Sequence, residues 1–187
     1  MEKLLKTFEE LKEKKLSIDL TRGKPHSIQL DLSNDLMTQP VDPIGKNGID
    51  LRNYGEPVGI IEARELGADI LDSNIDLTIA GEQSSYLLMS QLLLGRFLFG
   101  LDNDPWKDDK ESAFLCAVPG FDRHFATLEG LGIKMLTVNL CPSGIDLDDL
   151  NQKLSKHTNI KGLICVPKHS NPSGEVFSDE NLSLIHI

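Results

Sequence analysis

Lys161-Gly-Leu-Ile-Cys-Val-Pro-Lys-His-Ser-Asn-Pro-Ser-Gly174 decides how the rest of the chain is read. Leu163, Ile164, Cys165 and Val166 form a short apolar run stopped by Pro167, the pattern of a strand buried on both faces. Ser170 to Gly174 then makes a polar turn at the carboxyl end of that strand, where ligands collect in open α/β sheets. Asn-Pro and Ser-Gly are also ordinary turn dipeptides, so this stretch alone leaves a plain surface turn open.

Upstream the same strand-turn-helix grammar repeats. Ala113 to Val118 is an apolar strand ended by Pro119-Gly120-Phe121-Asp122-Arg123-His124. Phe125, Leu128 and Leu131 give the next helix its buried face, and Gly130 with Gly132 ends it. Ile133 to Leu140 reads as a strand, Asp146 opens a helix carrying Leu147, Leu150 and Leu154, and Ile160 to Val166 closes the series. Such alternation calls for right-handed crossovers and a mostly parallel sheet covered on both sides.

Asp76 to Ala80 is expected to be one more short strand, running into Gly81-Glu82-Gln83-Ser84-Ser85 and an apolar helix from about Tyr86 to Phe99. The first N–H groups of a helix lack intrahelical partners and its dipole favours negative charge there, so this turn is built to hold an anion. Capping by serine accounts for the segment equally simply and is the favoured account of it alone. Glu82 would repel an anion, and the Gly-Lys-Ser/Thr ending of a nucleotide-binding loop is missing.

Before residue 76 the signals are sparser. Glu2 to Lys15 carries Leu4, Leu5, Phe8 and Leu11 at helical spacing between charges, a face for docking on its own domain or on a partner. Ser17 to Leu20 reads extended. Thr21-Arg22-Gly23-Lys24-Pro25 is a turn whose glycine would bring a bare N–H near a ligand, or a plain loop. Residues 31–53 read as connecting segment and Asn53-Tyr54-Gly55-Glu56-Pro57 as a turn cluster before a helix through Ile60, Ala63 and Ile70. Asp102 to Lys110 reads as a polar linker.

Composition narrows the function classes. A net charge of −10 with 26% charged residues argues against nucleic acid or an anionic membrane as the main partner. The longest apolar run is cut by Gly95 and Arg96, well short of a membrane span, and the first residues lack a secretory pattern. Cys116, Cys141 and Cys165 are odd in number, lie in or near apolar runs and read as reduced core thiols of a cytoplasmic protein. The histidines show no pairing at helical ligand spacing, so no metal site is expected.

Four stretches taken together resemble one family: Arg22-Gly23-Lys24-Pro25, Arg52-Asn53-Tyr54-Gly55, Pro119 to Phe125, and Val166 to Glu175. In this order and spacing they are similar to the pyridoxal-phosphate aminotransferases of fold type I, and most to the divergent bacterial aspartate aminotransferase-like subgroup of class I. The resemblance covers nearly the whole chain but only the first part of an intact family member. It implies a partial three-layer αβα transferase domain with a mostly parallel sheet over 51–181, preceded by a small-domain segment over 1–50.

Roles follow from the resemblance by position. Phe121 would stack on the pyridine ring, where the subgroup more often has Tyr, and Asn171 would hydrogen-bond the cofactor's phenolic oxygen. Gln83, Ser84 and Ser85 match the phosphate-binding turn, with Glu82 standing where the family has a smaller residue. Tyr54 resembles the tyrosine that reaches the phosphate of a neighbouring subunit, which implies a homodimer, and Gly23 the glycine whose backbone meets the substrate carboxylate. The activity implied is amino transfer between an amino acid, aspartate or another acidic one, and a 2-oxo acid, with pyridoxal 5'-phosphate as electron sink. A decarboxylase or lyase of the same fold, or a ligand-sensing domain of a transcription regulator, would share the ring and phosphate contacts.

The family's Schiff-base lysine, its pyridinium-pairing aspartate and its carboxylate-clamping arginine all follow the Asn-Pro-Ser-Gly turn, and Lys168 is not that lysine by motif position. No catalytic residue is therefore assigned within the chain. Leu182-Ser-Leu-Ile-His-Ile187 back-translates to a transposase adapter used in sequencing libraries, so 182–187 is set aside as a read-through tail, and the chain is read as a fragment that is inactive and prone to aggregate through an open sheet edge.

Overall fold

The computed structural model describes residues 2–18, 23–101 and 104–186. The chain forms two compact units, Met1–Leu66 and Gly67–Ile187.

In the first unit, helix α1 (Glu2–Glu13) follows its helical pattern, yet Leu4, Leu5, Phe8 and Leu11 all remain exposed. A short helix α2 (Ser27–Asp31) is held by a capping box: the His26 ring accepts from the Ile28 N–H while the Gln29 side chain accepts from the His26 N–H. Residues 31–53 are more ordered than a plain connector, with a 3₁₀ turn at Asn34–Thr38 and a bridge between Ile44 and Asp50 closed through Gly48 at φ 77°. Helix α3 (Ile61–Leu71) begins in this unit, where Glu62 accepts from the Lys46 N–H and Glu65 pairs with the Lys46 ammonium. Arg22 lies outside the described residues, as do Asp19, Leu20 and Thr21.

The second unit is built on strand β1 (Ala113–Val118). Strands β2 (Lys134–Cys141), β3 (Gly144–Ile145) and β4 (Ile160–Ile164) complete a sheet of order β3-β2-β1-β4. Both neighbours of β1 run parallel to it, and only the short β2–β3 hairpin is antiparallel. Helices α4 (Ser85–Phe99) and α5 (Asp122–Gly130) put Leu93, Phe97, Phe125 and Leu128 against Phe114, Cys116 and Ile164. On the opposite face α6 (Leu147–Lys156) and α7 (Asp179–His186) put Leu150 and Ile185 against Leu115, Ala117 and Val138. The expected three-layer α/β arrangement is therefore present, with successive β1 residues alternating between the two cores.

Local chemistry sets the boundaries. Asp146 caps α6 by accepting from the Asp148 and Asp149 N–H groups, and Gly132 at φ 70° takes the left-handed turn after α5. The strand expected at Asp76 to Ala80 is not formed. Asn74 accepts from the Asp76 N–H and winds Ile75–Leu77 into a 3₁₀ turn, which Thr78 ends by donating its N–H to the Ile75 carbonyl. α7 runs through most of the stretch that the sequence sets aside. Its buried Asn181 accepts from the Ile145 N–H at 3.0 Å and donates to the Ile145 carbonyl at 2.8 Å, closing the outer edge of β3 as a strand would.

Two substitutions probe this core. Leu128, wholly buried, should cost about 2–5 kcal/mol as Leu128→Ala. Asn181→Ala leaves two backbone groups without partners and should cost about 1–3 kcal/mol. Denaturant midpoints measure both, and an Asn181→Ala midpoint equal to wild type would show that water replaces the amide without loss.

Candidate functional site

The site is assembled where helices α4 and α5 begin. Ser84 is the N-cap of α4 and its hydroxyl oxygen accepts from the Leu87 N–H at 3.3 Å, which leaves the hydroxyl proton free to donate outward. Gln83 and Ser85 on either side are exposed, and so is Glu82, whose charge is therefore in water rather than in the turn. The N–H groups of Ser85 and Tyr86 open the helix and have no partner within it.

Phe121 is the N-cap residue of α5, in extended conformation, held at the end of β1 by Pro119-Gly120. Gly120 is required there, because a Cβ would stand 2.6 Å from both the Ala117 carbonyl oxygen and the Phe125 ring. The Phe121 ring is half-buried between two neighbours of its own helix. His124 meets it edge-on with centroids 5.3 Å apart, and the Arg123 guanidinium lies over it at 5.6 Å.

His124 also contacts Tyr86 across the gap to α4, centroids 6.1 Å apart, and the Tyr86 hydroxyl bonds the Thr127 hydroxyl at 2.9 Å. Thr127 donates its own proton to the Arg123 carbonyl at 3.1 Å, so Tyr86 is the donor to Thr127. Through Tyr86 the first turn of α4 is fixed beside the first turns of α5, and two helix N-termini with Ser84, Ser85 and Phe121 share one region.

Asn171 leaves β4, which lies beside β1 and parallel to it, so topology delivers the Asn171 turn to the same end of the sheet as Phe121. The turn is pinned by the Ser170 N–H to the Glu175 carbonyl at 2.9 Å and the Phe177 N–H to the Pro167 carbonyl at 2.8 Å, with Ser170 buried and Asn171 exposed. Tyr54 and Gly23 belong to the other unit. Tyr54 is 97% exposed, next to Arg52, whose guanidinium pairs twice with Asp50 and holds that carboxyl below its usual range. Gly23 stands in open space.

Three contributors escaped the sequence reading: Tyr86, His124 and Thr127. His124 and Thr127 sit one turn apart on α5, a spacing visible in the sequence, but nothing local shows that Tyr86 is opposite them.

A model of the family described as "Aspartate amino-transferase" matches residues 1–185. The chain belongs to the aspartate aminotransferase family. An aspartate aminotransferase of Corynebacterium glutamicum is 38% identical over 184 residues, covering 96% of this chain and 42% of the relative. The crystal structure of an aspartate transaminase from the same species superposes with a TM-score of 0.85 at 36% identity, over 98% of this chain and 45% of that one. An α-aminoadipate aminotransferase of Thermus thermophilus, solved with N-(5'-phosphopyridoxyl)-L-leucine, is 21% identical and shares the fold at a TM-score of 0.57, over 74% of this chain and 32% of its own. The chain thus spans less than half the length of the family members it matches. No described helix is long and apolar enough to cross a membrane.

Burial holds the His124 imidazole below its ordinary range. The unfolded chain then takes up a proton at a higher pH than the folded one, so stability is lost as the pH falls through the unfolded value. The denaturant midpoint should drop between about pH 7 and about pH 5, and His124→Phe should flatten that drop. Identical profiles for the two proteins would mean that His124 is not the group responsible.

Proposed function

We propose that the intact protein is a pyridoxal-phosphate-dependent aminotransferase that moves an amino group between aspartate, or another acidic amino acid, and a 2-oxo acid. The observation that carries this reading is the pairing of the α4 and α5 N-termini, with Ser84 and Ser85 at one and Phe121 at the other. The donor set fits the cofactor: unpaired helix N–H groups and hydroxyls suit a phosphate dianion, and a half-buried aromatic face beside them suits a flat ring. The names of the family members at 36–38% identity support the substrate class.

In this reading Gln83, Ser84 and Ser85 hold the phosphate. Phe121 stacks on the pyridine ring through the face opposite Arg123, and Asn171 donates its amide to the ring's phenolic oxygen. Gly23 presents its N–H to the substrate carboxylate. Tyr54, fully exposed on its own unit, reaches the phosphate of a second subunit in a homodimer. The cofactor supplies the electron sink for the substrate's α-carbon, and these residues bind it, orient it and fix the charge on its oxygens. The partners are small molecules, with neither nucleic acid nor membrane among them, and the compartment is the cytoplasm. Residues 1–50 belong to the small domain and 51–181 to the cofactor domain.

No lysine follows Lys168 in the chain, so these 187 residues alone are expected to bind the cofactor without turning over. Titration with pyridoxal 5'-phosphate followed by absorbance, beside a transamination assay with aspartate and a 2-oxo acid, checks both halves. Phe121→Ala should weaken binding about tenfold. Turnover by the 187-residue chain would overturn its expected inactivity, and binding indifferent to both Phe121→Ala and Ser84→Ala would overturn the cofactor reading.

A further inference from the structure

The α4 helix is anchored to the sheet by its second half. Leu93 and Phe97 pack on the buried cluster around Phe114 and Leu128, whereas Leu87, Leu88 and Met89 in its first turns are exposed. The first turn, which carries the serines, is therefore not positioned by apolar packing. Its described links to the neighbouring helix are the Tyr86 hydroxyl on Thr127 at 2.9 Å and the Tyr86 ring on His124 at 6.1 Å. His124 in turn stands edge-on to Phe121 at 5.3 Å.

We propose that Tyr86 and Thr127 are positioning residues: their hydrogen bond sets the spacing between the phosphate-holding turn at Ser84–Ser85 and the ring-stacking face of Phe121. The inference rests on the cofactor reading above but assigns residues that the reading does not use. The Tyr86 ring and hydroxyl and the Thr127 side chain are assigned to neither ligand half. They act by fixing one helix start against the other. In the cofactor the phosphate and the ring are joined through a single methylene, so a ligand gripped at both ends is sensitive to their separation in a way that either half alone is not.

That difference gives the test its readout. Tyr86→Phe removes the hydroxyl and keeps the ring on His124; Thr127→Val removes the other partner; Thr127→Ser keeps the hydroxyl. The probes are pyridoxamine 5'-phosphate, which spans both halves and has no aldehyde to react with surface lysines, and pyridoxamine and inorganic phosphate, which each engage one. Binding to the full 187-residue chain is measured by chemical-shift titration. Tyr86→Phe and Thr127→Val should each weaken pyridoxamine 5'-phosphate about three- to tenfold, as loss of one neutral hydrogen bond does. The double variant should be no weaker than either single one, and the two half-ligands should bind as to wild type. Thr127→Ser should restore the affinity, which separates the bond from any effect on folding.

Unchanged affinity for pyridoxamine 5'-phosphate in Tyr86→Phe overturns the proposal while leaving the cofactor reading intact. Equal weakening of all three probes overturns it too, since that is the signature of a loosened fold rather than of spacing. A wild-type chain that binds neither the whole cofactor nor inorganic phosphate sinks the cofactor reading, and the spacing role with it.

Discussion

Strand β1 is hydrogen-bonded on both edges and buried on both faces, and the rest of the second unit follows from that. Each residue from Ala113 to Ala117 is buried, so neither helix layer can slide along the strand without exposing Phe114 and Cys116 on one side or Leu115 and Ala117 on the other. Desolvation pushes the Cys116 thiol up to about 11, which leaves it a packing group rather than a nucleophile. At its amino end the strand is tied down by polar contacts, with Asp109 accepting from Asn159 and from Lys161 at 3.2 Å, while the Asn159 carbonyl accepts from the Ala113 N–H. With one end fixed and both faces packed, the other end delivers Pro119-Gly120-Phe121 to a set place. The parallel neighbour β4 delivers the Asn171 turn to the same side.

Elements whose signals are local were legible from the sequence. β1 matches its apolar run, α6 starts at the aspartate that caps it, and α5 ends where Gly132 supplies the left-handed turn. Elements that depend on a distant partner were not. Asp76 to Ala80 has strand-like residues, but the Asn74 side chain offers the Asp76 N–H a nearer acceptor and turns Ile75–Leu77 into a 3₁₀ helix. β3 is two residues long, and what makes it a strand is the pairing with Leu140 and Cys141 together with the side chain of Asn181, 36 residues on. α7 is not anticipated, because 182–187 is set aside and only its first turn, with Asp179 and Glu180, lies before that stretch.

The candidate site divides along the same line. Phe121 and Asn171 follow the parallel strands β1 and β4, and the topology expected from the apolar runs places such turns at one end of the sheet, while Ser84 and Ser85 mark a helix start that serine capping signals locally. In the sequence Tyr86 reads as the opening residue of an apolar helix and His124 as one member of the Pro119 to Phe125 motif, without a role of its own. Their shared role lies in the packing of two helices, where a tyrosine hydroxyl finds a threonine 41 residues later. No periodicity within either helix encodes that distance. Tyr54, 97% exposed, illustrates the converse: a motif marks it, while nothing around it on its own unit explains an aromatic ring in water.

A candidate anion site on an acidic chain calls for a physical account. The net charge of −10 is spread over the surface, and at physiological salt a charge is screened within about 8 Å, so the total matters less than what stands within that distance of the turn. Close to it, Glu82 and Asp122 oppose an anion, but both are exposed and keep their hydration. The groups that favour one are fixed dipoles. The starts of α4 and α5 are linked through Tyr86, and Ser84 keeps a hydroxyl proton available because its oxygen already caps Leu87. Fixed dipoles act at contact range, where screening by salt is weakest, and their advantage depends on alignment. If the helix starts drifted apart, the same sequence would present only two weak, separate N-termini beside two carboxylates, and the balance would tip toward repulsion.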